Sequence, residues 1–123
     1  MEKVITINDW WDSPLLGLAY YNGIVCIYER VFSETDDEYI DEYILTPISK
    51  EEEIAIMCEW KEWCDAVSCS ELDLYYKKHS KADKIINVIT RSAQKEKHRK
   101  KARFSGVIGN GCIPVDYHVE WYD

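Results

Sequence analysis

Five carboxylates and two tyrosines fall within eight consecutive residues of this chain, Asp36-Asp37-Glu38-Tyr39-Ile40-Asp41-Glu42-Tyr43. Paired carboxylates can divide acid and base duties, or supply oxygen ligands to a hard cation. The spacing favours neither, because no D-x-D-x-D-G run is closed by a glutamate at its twelfth position, and acidic hairpin loops are ordinarily just hydrated. Acids interleaved with aromatic rings are better suited to binding a protein, the charges steering a basic partner and the rings anchoring it. The expected partner-binding set is therefore Asp36, Asp37, Glu38, Tyr39, Asp41 and Glu42, joined by Trp11.

Trp11 belongs to Asp9-Trp10-Trp11-Asp12-Ser13-Pro14, a turn carrying two indoles and two carboxylates. Large aromatics mostly bury, so one tryptophan is expected in the core and the other either to stack on a ligand or to close the end of a sheet, closure being the preferred reading. Asp9 or Asp12 suits a turn cap. If the chain were an enzyme of unknown reaction, a pocket between Trp10/Trp11 and the acidic strand is where its chemistry would sit.

Thiol–imidazole catalysis needs a cysteine beside a histidine, and the candidates are Cys26, Cys58, Cys64, Cys69 and Cys112 with His79, His98 and His118. No spacing singles out a pair. Cys26 and Cys64 fall in apolar patterns and read as small core hydrophobes. An odd number of cysteines without a C-x-x-C pair argues against both a zinc site and a disulfide framework. No catalytic residue, metal or cofactor is expected.

Phosphate binding is the chemistry of Lys95, Lys97, Arg99, Lys100, Lys101 and Arg103, through counterion release. The run lacks aromatic platforms and a recognition-helix pattern, and an isoelectric point near 4.9 is wrong for nonspecific nucleic-acid binding. RNA or DNA association is accordingly the alternative. The preferred role for this basic arm is to compensate the acidic half, within the molecule or across a homodimer.

The whole chain shows the same division of charge. Residues 1 to 76 hold 18 acids and 4 bases, residues 77 to 103 hold 2 acids and 11 bases, and the remainder holds 3 acids and no base. Such segregation must be satisfied by internal pairing, by a charged partner, or by both. The length of 123 residues suits one domain. No apolar run approaches a membrane span and no secretory signal opens the chain, so a soluble cytoplasmic protein is expected, without a membrane partner.

The strongest local signal is Asn22-Gly23 between apolar runs, which predicts a type I′ hairpin. Its register sets Tyr21 opposite Ile24, Ala19 opposite Cys26, and Gly17 opposite Tyr28, whose ring can cover the bare glycine. Both arms are apolar on both faces, as in a sheet covered by helices on one side and by more chain on the other. A third strand follows over residues 38 to 46, ended by Pro47, and an earlier strand over residues 3 to 7 joins the same sheet. Ser49-x-x-Glu52 is a capping box opening a helix striped by Ile56, Trp60, Trp63, Cys64 and Val67. Cap signals at Ser70 and Ser80 predict a short helix with Leu72, Tyr75 and Tyr76, then one with Ile85, Ile86, Ile89 and Ala93. Residues 94 to 103 read as solvated. A closing hairpin follows, with Tyr117, Val119 and Trp121 pointing inward.

Asp9-Trp10-Trp11-Asp12-Ser13-Pro14, Gly17-Leu18-Ala19, Tyr21-Asn22-Gly23, Leu45-Thr46-Pro47 and the helix with Trp60 and Trp63 together resemble a family of small uncharacterised bacterial proteins, over about residues 7 to 67. The resemblance implies a bacterial cytoplasmic domain and transfers no catalytic residue.

The expected architecture is α+β: an antiparallel meander, a tryptophan-bearing amphipathic helix packed on it, further helices, and a C-terminal strand or hairpin rejoining the sheet. The expected function is a small acidic binding protein, of immunity or inhibitor type, engaging a basic protein partner.

Overall fold

Asn22 and Gly23 both adopt positive φ, +51° and +77°, the backbone a type I′ turn demands. The strands they join pair in the expected register, with Tyr21 opposite Ile24, Ala19 opposite Cys26 and Gly17 opposite Tyr28. The computed structural model describes residues 1–68 and 81–123. From this hairpin, β3 (Pro14–Tyr21) and β4 (Ile24–Ser33), the sheet grows in both directions. The remaining strands are β1 (Glu2–Lys3), β2 (Asp9–Trp10), β5 (Glu38–Pro47), β6 (His98–Ile108) and β7 (Pro114–Tyr122). All are antiparallel, in the order β1-β7-β6-β5-β4-β3-β2.

The sheet curls into a half-barrel that the N-terminal strand draws together. Glu2 and Lys3 pair with β7, while the next residue, Val4, bridges Ala19 of β3. The Trp121 indole N–H also spans the gap, donating to the Tyr20 carbonyl at 2.9 Å. Inside the curl, Tyr28 lies 6.0 Å from Tyr43 and from Phe104 between ring centres, and Phe104 stacks on Tyr117. Burying tyrosines requires partners for their hydroxyls. Tyr28 donates to the Thr6 carbonyl at 2.7 Å and Tyr43 to the Pro14 carbonyl at 2.6 Å.

Leu18 and Ile27 turn to the outer face, where α1 (Lys50–Ser68) and α2 (Asp83–Thr90) cover them with Ile56, Ile85 and Val88. The α1 capping box is formed in both directions: Glu52 N–H donates to Ser49 Oγ, and Ser49 N–H donates to Glu52 Oε1. Trp60 and Trp63 are buried along α1. Its Glu59 carboxylate accepts from the Lys84 N–H at 3.0 Å, capping the neighbouring helix. No helix among the described residues is long and apolar enough to cross a membrane.

Two expectations are corrected here. The fold is mostly β, a seven-stranded curled antiparallel sheet with two α-helices among the described residues, instead of an α+β domain with further helices. The short helix expected around Leu72, Tyr75 and Tyr76 lies outside the described residues, and α2 ends at Thr90, before Ala93. The basic run leaves Lys97, Arg99, Lys101 and Arg103 exposed, as a solvated stretch should, but from His98 it is strand β6, paired on both sides. A strand so rich in lysine and arginine is possible because its alternate side chains find partners. Inward, His98 packs on the Tyr21 ring and Lys100 bonds Asp123; outward, Arg99 and Arg103 meet acids of the adjacent strands.

Candidate functional site

Arg30 is one of four basic residues in the first 76, and it lies within β4, beside Glu29 in a mostly apolar strand. Its place is explained by a bulge. Arg30 faces Tyr43 and Phe32 faces Tyr39, so the single residue Val31 opposes Ile40, Asp41 and Glu42 on β5. Extra residues disrupt the ladder and leave backbone groups to be satisfied otherwise. Arg30 supplies one answer, its Nε donating to the Ile40 carbonyl at 2.8 Å. Its other arm donates to Ser13 Oγ in the loop before β3. One guanidinium therefore ties the tryptophan-bearing turn to the acidic hairpin.

Between these two walls lies a cleft of about 380 Å³, lined by Trp11, Asp12, Arg30, Phe32, Asp37, Glu38 and Tyr39. Left-handed backbone shapes both ends: Asp12 has φ +63° and Asp37 has φ +53°, conformations that aspartate tolerates better than most residues. Trp11 N–H donates to the Ser13 carbonyl, closing the turn beneath the indole. On the opposite wall, Ser33 and Asp36 exchange hydrogen bonds that close the β4–β5 connection. The Phe32 and Tyr39 rings meet edge to face with centres 5.0 Å apart.

Trp11 is 73% exposed, and Trp10, Phe32 and Tyr39 are each more than a third exposed. The expectation of one tryptophan in the core is thus corrected. The curl fills its interior with Tyr28, Tyr43, Phe104 and Trp121, while the loop holding Trp10 and Trp11 stands at the sheet's edge. Three carboxylates share the lining with one guanidinium, which leaves the cleft net negative, and two of that guanidinium's five N–H donors go to Ser13 and Ile40. The arrangement offers rings and negative charge to a cation, a combination that attracts ammonium and guanidinium groups.

Of the seven expected partner-binding residues, Trp11, Asp37, Glu38 and Tyr39 come together in this cleft. Asp36 closes the adjoining turn, and Asp41 is exposed within the bulge. Glu42 is engaged elsewhere, receiving both Nε and Nη2 of Arg99 at 3.1 and 3.3 Å. Asp12, Arg30 and Phe32 were missed. A signal existed for Arg30, the one cation of a mostly apolar strand, and none existed for the bulge it serves.

The basic set is dispersed in its use. Lys95 bonds Glu52 and the Pro47 carbonyl, Arg99 pairs with Glu42, Lys100 with Asp123, and Arg103 with Glu120 while lying over the Tyr122 ring. Lys97 and Lys101 enter no ion pair among the described residues. Burial pushes the Cys26 thiol up to about 11, with the Glu2 charge adding to the effect, and it also raises Cys64. Neither thiol is an activated nucleophile. Among the described residues, no group of three or more His, Cys, Asp or Glu side chains is placed to hold a metal ion. Comparison with known proteins finds no matching family model, no matching curated protein and no matching solved structure.

Proposed function

We propose that this chain is a small acidic binding protein of inhibitor or immunity type, acting in the cytoplasm, whose cleft between the Trp11 turn and the β4–β5 hairpin receives a basic protein partner. The observation that supports it most is the coincidence of an exposed Trp11 with Phe32, Tyr39, Asp12, Asp37 and Glu38 around one concavity. Exposed aromatics in a concave site are where interface energy concentrates, and carboxylates at the rim raise association rates for basic partners. Internal pairing of Lys95, Arg99, Lys100 and Arg103 counts against the nucleic-acid alternative, since phosphate contacts would have to displace four bridges.

The test is calorimetric titration with an arginine-rich peptide at several salt concentrations. Asp37→Asn combined with Glu38→Gln should weaken binding by about tenfold, the loss of charge-assisted contacts worth roughly 1.4 kcal/mol together. The same charge change placed on α1, Glu51→Gln with Asp65→Asn, should leave affinity within about twofold, as expected for distant surface charges. Equal weakening by the two pairs would mean the peptide responds only to net charge, and the cleft would lose its role.

A further inference from the structure

A second cleft, of about 410 Å³, adjoins the first and shares Arg30, Phe32 and Tyr39 with it. Its character is different. Six of the nine remaining lining residues are aliphatic, Leu15 and Leu16 of β3, Val31 and Ile44 of the central strands, and Ile86 and Ile89 of α2, while Asp9, Glu29 and Thr90 are polar. Ile86 is 48% exposed although it sits on a helix packed against the sheet. The Phe32–Tyr39 pair thus stands between an acidic, aromatic cleft and a mostly aliphatic one that carries two further carboxylates, Asp9 and Glu29.

We infer that the two clefts form one recognition groove, and that its occupant is a partner segment carrying a lysine or arginine with an apolar side chain close by in sequence. The inference rests on the proposed binding role and adds the chemistry of the segment bound. Charge complementarity sets the cationic end, because the three carboxylates of Asp12, Asp37 and Glu38 outnumber the one guanidinium, Arg30, in the same lining and leave it net negative. The apolar end follows from the shared Phe32–Tyr39 pair: a residue anchored at Trp11 leaves its near neighbours over Ile44 and Ile86. Burial of an aliphatic side chain there adds affinity that charge alone does not, and it rejects basic segments flanked only by polar residues.

Fluorescence anisotropy with short labelled peptides tests this. Each peptide carries one arginine-rich end, with a leucine at varied spacing from it, and each is matched to a version with serine in place of leucine. The leucine form should bind the native protein more tightly at one spacing, by about tenfold or more for a side chain that becomes buried. Ile86→Asn, a charge-neutral change at a half-exposed position, should abolish this leucine preference, read as the ratio of leucine to serine affinity in the same variant. Equal binding of leucine and serine forms at every spacing would overturn the apolar half of the groove and leave the basic-partner reading standing. An undiminished leucine preference in Ile86→Asn would overturn it as well. Absence of binding by every peptide, including the arginine-rich ones, would overturn both.

Discussion

The Arg30 guanidinium donates to the Ile40 carbonyl at 2.8 Å, so a side chain from β4 satisfies a backbone group that the β5 bulge releases from the ladder. With the second bond to Ser13, this residue holds the two walls of the cleft at a fixed separation. Preorganisation of that kind lowers the ordering cost of binding.

Arg30→Met keeps most of the apolar stem and removes every donor. It should cost about 2 kcal/mol in stability, the usual worth of a partly buried charged hydrogen-bond donor. It should also weaken peptide binding even though it makes the cleft more acidic. Urea unfolding and titration of the same variant check both; tighter binding in Arg30→Met would show that Arg30 acts as a repelling charge and not as a tie.

Gly17 lies under the Tyr28 hydroxyl. A Cβ there would overlap the Thr6 carbonyl oxygen and lie 2.5 Å from the Tyr28 hydroxyl. Gly17→Ala should therefore cost about 3 kcal/mol or more, at the upper end for overpacking. Gly23→Ala meets no neighbouring atom and suffers only its φ of +77°, a cost of about 1 kcal/mol. Thermal melts of the two variants should rank them clearly. Similar melting temperatures would contradict the close packing of Tyr28 on β3.

Thiol labelling reports on the curl. Cys26 is buried with its thiol raised to about 11, whereas Cys58 is exposed on α1. Iodoacetamide under native conditions should modify Cys58 and leave Cys26 untouched until denaturant is added. Mass spectrometry of tryptic peptides reads the outcome, and early modification of Cys26 would mean the sheet opens far more readily than its packing implies.

Two glutamates should give opposite acid responses. Burial opposes the charge on Glu52, but donors from Lys95 and Ser49 outweigh it and hold the carboxyl below its ordinary value of 4.5. A depressed carboxylate lends stability above 4.5 that is lost as pH falls through the lower folded value. Glu59 is raised, first by burial, then by the Asp83 and Glu62 charges, against the stabilising Lys84 N–H. Its contribution is present below 4.5 and is lost as pH rises through the folded value. Glu52→Gln should accordingly flatten the acid-side loss of stability, and Glu59→Gln should remove a loss on the side just above 4.5. Urea midpoints measured across this range test both signs.

Legibility in the sequence followed the range of the interactions involved. The Asn22-Gly23 turn, the Gly17–Tyr28 pair and the Ser49–Glu52 capping box were readable because each depends on residues close in sequence. Tyr117 and Val119 were readable from strict alternation. The second half of β6, Phe104 to Ile108, was readable as an arm of the closing hairpin, but the first half was not, since His98 to Arg103 carry no apolar period and become a strand only through acids and a tyrosine supplied by distant segments. The cleft was half readable. Asp37, Glu38, Tyr39 and Trp11 carry composition that suggests binding, whereas Asp12, Arg30 and Phe32 join them through a bulge register that arises only when β4 and β5 pair. Glu42 shows the converse: its composition suggested the binding surface, and pairing with Arg99 took it away.

Amide chemical-shift mapping during titration with the arginine–leucine peptide tests the central claim most directly. Perturbations should concentrate at Trp11, Asp12, Phe32 and Asp37 to Tyr39, then extend to Ile44 and Ile86 as leucine is added. Perturbations spread evenly over the acids of α1 and the β5 edge, or centred on β6, would contradict it.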